Sequence, residues 1–86
     1  MHEMSVVQNL VHLLRNICER EKAIKVVLIE LTINHYSCLD EENLNFMFSS
    51  FMAEDPVLKD AKIKVKRSET MQEREYVVEN VEIEVE

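Results

Sequence analysis

The chain has 86 residues, enough for one small domain with a single core and no second one. Ten basic residues against seventeen acidic ones give a net charge of −7, which repels phosphate backbones and anionic lipid and so argues against nucleic acid and membrane surfaces as partners. There is no glycine, so neither a Gly-rich phosphate loop nor a G-x-S-x-G nucleophile elbow can be built.

Further exclusions follow from the pattern of residues. No apolar stretch approaches the ~20 residues of a membrane span. The opening segment carries Glu3 and no Lys or Arg before Arg15, unlike a secretory signal. Cys18 and Cys38 stand apart from each other and form no CxxC pair, which suits a reducing compartment. These features together predict a cytoplasmic single domain over residues 1–86.

In chain order, Val7, Leu10, Val11, Leu14, Ile17 and Cys18 fall at i, i+3, i+4, i+7 spacing and predict an amphipathic helix from Ser5 to about Ala23. Ser5 is its expected N-cap, with Gln8 at the capping-box position, which leaves residues 1–4 outside the helix or at its first turn. Residues 24–33 are rich in β-branched side chains and predict a central strand, with Val27, Ile29, Leu31 and Ile33 on one face and Val26 and Leu28 making the other partly apolar. Asn34 to Ser37 read as a loop in which Asn34 takes the left-handed conformation that glycine would otherwise supply.

Asp40 is expected to cap a second helix running to about Ala53, with Leu44, Met47, Phe48 and Phe51 buried and Asp55-Pro56 ending it. Residues 61–67 alternate with Ile63 and Val65 inward and Lys62, Lys64 and Lys66 outward. Residues 76–86 alternate with Val81, Ile83 and Val85 inward and Glu82, Glu84 and Glu86 outward. The connection from Ser68 to Glu75 is short and, apart from Met71, polar, so the expected pairing is an antiparallel hairpin setting the three lysines near the three glutamates. The expected fold class is α+β, a two-layer sandwich of order α-β-α-β-β with two helices on one face of a three-stranded mixed sheet.

One feature is not explained by the folding pattern: the opening Met1-His2-Glu3. A free amine followed by histidine is a preassembled chelator, because the amine, the deprotonated His2 amide and the His2 imidazole close two fused rings around one ion. A nearly planar nitrogen set suits Ni(II) or Cu(II) better than tetrahedral Zn(II), and the Glu3 carboxylate can fill a further position. The plain alternative is a frayed terminus with a solvated histidine. His12 reads as solvated on the polar helix face, and His35, in a loop, is a weaker candidate ligand. Cys18, Met4, Met47 and Met52 read as core or shoulder residues. Asp40, Glu41 and Glu42 read as acids complementing a helix N-terminus.

The segments MHEMSVVQNLVHLL, KVVLIEL, LDEENLNFMF, AKIKVKR and YVVENVEIEVE, in this order, resemble the HypA/HybF family of nickel metallochaperones. The resemblance implies a protein that binds Ni(II) through Met1, His2 and Glu3 and delivers it during maturation of nickel–iron hydrogenase or urease. Its implied partners are a HypB-like GTPase and the hydrogenase large subunit or the urease machinery. Members of the family carry a zinc lobe with two CxxC pairs between the last two strands. Residues 68–75 hold no cysteine here, so no structural zinc is expected, and the absence of a Gly/Ser linker favours a lobe missing by nature over one removed. The family glycine after the first strand's glutamate is also replaced, since Leu31-Thr32 follow Glu30. The alternative function is a metal-free interaction module that keeps this fold and docks on the maturation GTPase. An enzyme is not expected, for want of any nucleophile–base set or cofactor motif. So small a core also leaves apolar surface that a homodimer would cover.

Overall fold

The computed structural model describes residues 2–70 and 74–86, with the backbone but not the side chain of His2. Met71, expected as the apolar member of its connection, lies outside the described residues. The elements are α1 (His2–Glu21), β1 (Ala23–Asn34), α2 (Glu41–Phe51), β2 (Lys62–Ser68) and β3 (Tyr76–Val85), in the expected α-β-α-β-β order. They form a two-layer α+β sandwich on a three-stranded mixed sheet, with α1 and α2 packed together over β1 and β2.

The apolar stripe of α1 is buried as its spacing requires: Val7, Leu10, Val11 and Leu14 are sealed in the core, joined by Val6. The helix begins at His2, however, and Ser5 is an exposed residue inside it instead of its cap. Packing of Met4 against the core draws the first turn into the helix, and Glu3 in that turn complements the helix N-terminus. At the other end Ala23 already belongs to β1. The reversal is made by Lys22, whose φ of 56° lies in the left-handed region. Asn34 takes no such conformation; its Oδ1 instead accepts from the Tyr36 N–H at 2.9 Å, a side-chain-closed turn. Because a lysine pays a steric penalty at Lys22 that glycine avoids, Lys22→Gly is expected to stabilise the fold by about 0.5–1 kcal/mol, read as a rise in the midpoint of thermal unfolding.

The hairpin expectation is overturned. The strand order is β2-β1-β3, with β2 parallel to β1 and β3 antiparallel to it, so β2 and β3 do not pair. The seven residues 69–75 can reach about 23 Å, whereas crossing the end of β1 needs only about 10 Å, so a short connection did not compel a hairpin. β1 is the most apolar strand and gains most from having a neighbour on each side, and α2 supplies the crossover a parallel pair needs. On the outer face Leu28 stands between Lys62 and Glu82, Glu30 between Lys64 and Asn80, and Thr32 between Lys66 and Val77. The expected lysine–glutamate ladder is therefore split by a whole strand. Glu30 accepts instead from Asn80 Nδ2 at 3.0 Å.

β1 is central as expected, but its inward set is Val26, Ile29, Leu31 and Ile33, while Val27 is 38 % exposed. An irregularity in the β1–β3 register between Val26 and Leu28 inserts Val27 as an extra residue, which moves it off the inward set. In α2 the Asp40 cap is as expected, its Oδ2 accepting from Asn43 N at 3.0 Å. Leu44 and Phe48 are fully buried and Met47 half-buried, but Phe51 is 47 % exposed because the helix stops there and Met52 turns inward in its place. Pro56 does not end α2. Asp55 caps a following turn through Oδ1, which accepts from Val57 N and Leu58 N, and proline suits the first position of such a turn. Val81 and Ile83 of β3 are half-buried as expected, whereas Val85, at the end of the sheet, is exposed.

The free edge of β2 is closed by a helix side chain. Asn45 donates through Nδ2 to Ile63 O and accepts through Oδ1 from Ile63 N, both at 2.8 Å, mimicking a neighbouring strand. Glu41 Oε2 accepts from Val65 N at 2.7 Å one step along. β3 has no such cover among the described residues.

Candidate metal centre at the start of the first helix

The amine of Met1 and the imidazole of His2 lie outside what the structure describes. The backbone around them is informative nonetheless. α1 starts at His2, and the first N–H groups of any helix have no intrahelical acceptor, so the His2 amide is not committed to a helical hydrogen bond. Glu3 is half-buried in the first turn. Because the chain reverses at Lys22, the opening of α1 lies at the same end of the molecule as the end of β1, the end of β2 and the start of β3. Asn9 Nδ2 donating to the Tyr76 hydroxyl at 3.3 Å ties α1 to that end.

The same end carries loop 35–40, which is rigidly held. The Arg67 guanidinium donates to the carbonyls of His35, Ser37 and Leu39, the last at 2.6 Å. Ser37 Oγ donates to Glu75 Oε2 at 2.6 Å and accepts from Leu39 N. Backbone bonds from Asn34 N to Glu75 O and from His35 N to Ser68 O lace the loop to β2 and to the approach to β3. Sequence reasoning missed Arg67, Asn45 and Glu75. Arg67 ends a lysine alternation and so reads as one more solvated cation; its change of residue type, to a fork able to satisfy several carbonyls, is the only signal it offers.

His35 is exposed and meets the Tyr36 ring edge-on at 5.2 Å, and His12 is exposed on α1. Among the described residues no three His, Cys, Asp or Glu side chains gather as a metal group, and His35 is not drawn into one. Cys18 and Cys38 are free thiols. Burial, and secondarily the Asp55 carboxylate, push the Cys18 thiol up, so it stays protonated and is a poor soft-metal ligand. Met1, His2 and Glu3 stand as the candidate site read from the sequence, and the described residues offer no second cluster beside it.

A solution structure of the nickel metallochaperone HypA from Helicobacter pylori superposes with a TM-score of 0.79 at 20 % identity, over 98 % of each chain. A second solution structure of a HypA protein gives 0.65 at 19 % identity, over 96 % of this chain and 92 % of that one. At that identity the likeness is one of fold. A family model described as hydrogenase/urease nickel incorporation, metallochaperone, HypA, matches residues 1–74, and the chain belongs to this family. The hydrogenase maturation factor HypA of Actinobacillus succinogenes is 33 % identical over 63 residues, which is 73 % of this chain and 55 % of that protein. The chain therefore spans about half the length of this curated relative. Between β2 and β3, where the resemblance sets a zinc lobe, residues 69–75 contain no cysteine.

Proposed function

We propose that residues 1–86 act as one nickel-carrying unit that binds Ni(II) through the Met1 amine, the His2 amide and imidazole and the Glu3 carboxylate, and passes it on during maturation of nickel–iron hydrogenase or urease. The observation that carries the reading is that His2 opens α1 in a chain of the HypA family. The setting suits cargo better than a permanent ligand. Two fused chelate rings hold the ion, while the partial positive charge at the start of α1 opposes a cation by about 0.3–1 kcal/mol, and Glu3 offsets part of that. The proposed recipients are a HypB-like GTPase and then the hydrogenase large subunit or the urease machinery, in the cytoplasm, where Cys18 and Cys38 stay reduced.

Calorimetric titration of Ni(II) into protein beginning at Met1 tests the reading. One ion is expected per site, and His2→Ala or any residue added before Met1 is expected to weaken binding by at least about 100-fold, beyond what loss of an outer-shell partner costs. Protons compete for the imidazole (reference pKa ~6.5) and the amine (~7.7–8.0), so affinity is expected to fall steeply as pH drops below about 6.5. Equal affinity in extended and native forms overturns the amine as a ligand. No nickel binding at all overturns the carrier reading and leaves a metal-free docking module.

A further inference from the structure

The two edges of the sheet are treated differently. The β2 edge is closed by Asn45 and Glu41, whereas the outer edge of β3 faces no strand and no capping side chain among the described residues. Nor is the inward face of β3 fully covered, since the helices lie over β1 and β2. Val78, Val81 and Ile83 are left half-buried, and beside them Ile17 is half-buried and Leu13 36 % exposed on the flank of α1. With Arg20, Glu21, Glu79 and Asn80 at its rim, they line an open groove of about 500 Å³ between α1 and β3. An open strand edge next to an apolar trough is the geometry that adds a strand from another chain: the edge supplies main-chain hydrogen bonds and the trough takes alternate side chains.

Charge says what that strand is. Glu82 and Glu84 point outward from β3, and Glu79 is the extra residue where the β1–β3 register slips between Glu30 and Leu31. That irregularity interrupts β3 at Glu79; from Asn80 to Val85, about 20 Å, β3 itself carries no extra residue, the two further slips opposite it falling in β1. A second copy is a poor occupant. Pairing β3 with β3 antiparallel would set glutamates against glutamates, and the lysine-bearing β2 of another copy has its edge already closed by α2. We infer that the outer edge of β3 over residues 80–85, with the trough formed by Leu13, Ile17, Val81 and Ile83, docks an extended segment of a different protein in which apolar residues alternate with lysine or arginine. This docking is independent of nickel and stands or falls without it.

The probes are three seven-residue peptides: one alternating lysine and valine, one alternating glutamate and valine, and one with the lysines and valines in separate blocks. Each is titrated into isotope-labelled full-length protein and followed by amide shifts and amide exchange. The lysine–valine alternation is expected to shift and protect the amides of residues 80–85 and to bind at least tenfold more tightly than the other two. The double variant Glu82→Lys, Glu84→Lys, which alters only exposed positions, is expected to reverse the preference between the two alternating peptides. Leu13→Glu is expected to weaken the lysine–valine peptide at least tenfold with the charges of β3 intact. Equal binding of the blocked peptide reduces the effect to bulk charge attraction and overturns the inference. So does the absence of any response at residues 80–85 up to millimolar peptide, or concentration-dependent protection of those amides by the protein itself.

Discussion

Replacing Phe48 with alanine is expected to cost about 3–5 kcal/mol, the range for an aromatic deleted from a sealed core. Phe48 has no solvent exposure and is the largest of the fully buried side chains. At about 0.05–0.15 kcal/mol per residue, a domain of 86 residues holds about 4–13 kcal/mol in all, so this one change removes a large part of it. Urea unfolding should show a midpoint displaced far downward with an unchanged slope. The same substitution at Phe46 or Phe51, which are 73 % and 47 % exposed, should cost less than about 1 kcal/mol. Equal losses at the three positions would mean that α2 presents a different face to the sheet.

The second large effect concerns the β2 edge. Asn45→Leu removes both the donor to Ile63 O and the acceptor for Ile63 N, in a half-buried setting, and should cost about 2–3 kcal/mol. Beyond stability, it uncovers a strand edge, so the variant should lose exchange protection at the Ile63 amide and aggregate at concentrations the parent tolerates. Asn45→Asp is a sharper control. It keeps the acceptor for Ile63 N but sets a carboxylate oxygen against Ile63 O, so it should remain destabilised. A stable, monomeric Asn45→Asp would show that the edge is held by something other than this amide pair.

Much of the fold was legible because it is local. The i, i+3, i+4 stripe of α1, the β-branched run of β1, the Asp40 cap and the alternation of Ile63, Val81 and Ile83 all reappear where spacing put them. The misreadings occurred where local signals compete with distant packing. Ser5 has the chemistry of a cap, yet Met4 packing against the core carries the helix past it to His2. Val27 has the phase of an inward residue, yet the slip in its pairing with β3 leaves it exposed. Asn34 was expected to supply the left-handed turn, but the sharp reversal falls at Lys22, between a helix and a strand that abut without a loop. For the candidate site, the types and order of Met1, His2 and Glu3 carried the reading, and the structure contributes the helix start beneath them.

From its sequence alone the chain determined the number, kind and order of its elements and the apolar face of each helix, since these depend on neighbours a few positions apart. Tertiary structure alone decided that β1 stands between β2 and β3, that Asn45 and Glu41 close one edge while no described residue closes the other, and that Arg67 holds loop 35–40. Those choices rest on which backbone groups and apolar surfaces remain unsatisfied once the elements meet, and that is a property of the assembled layers and of no single segment.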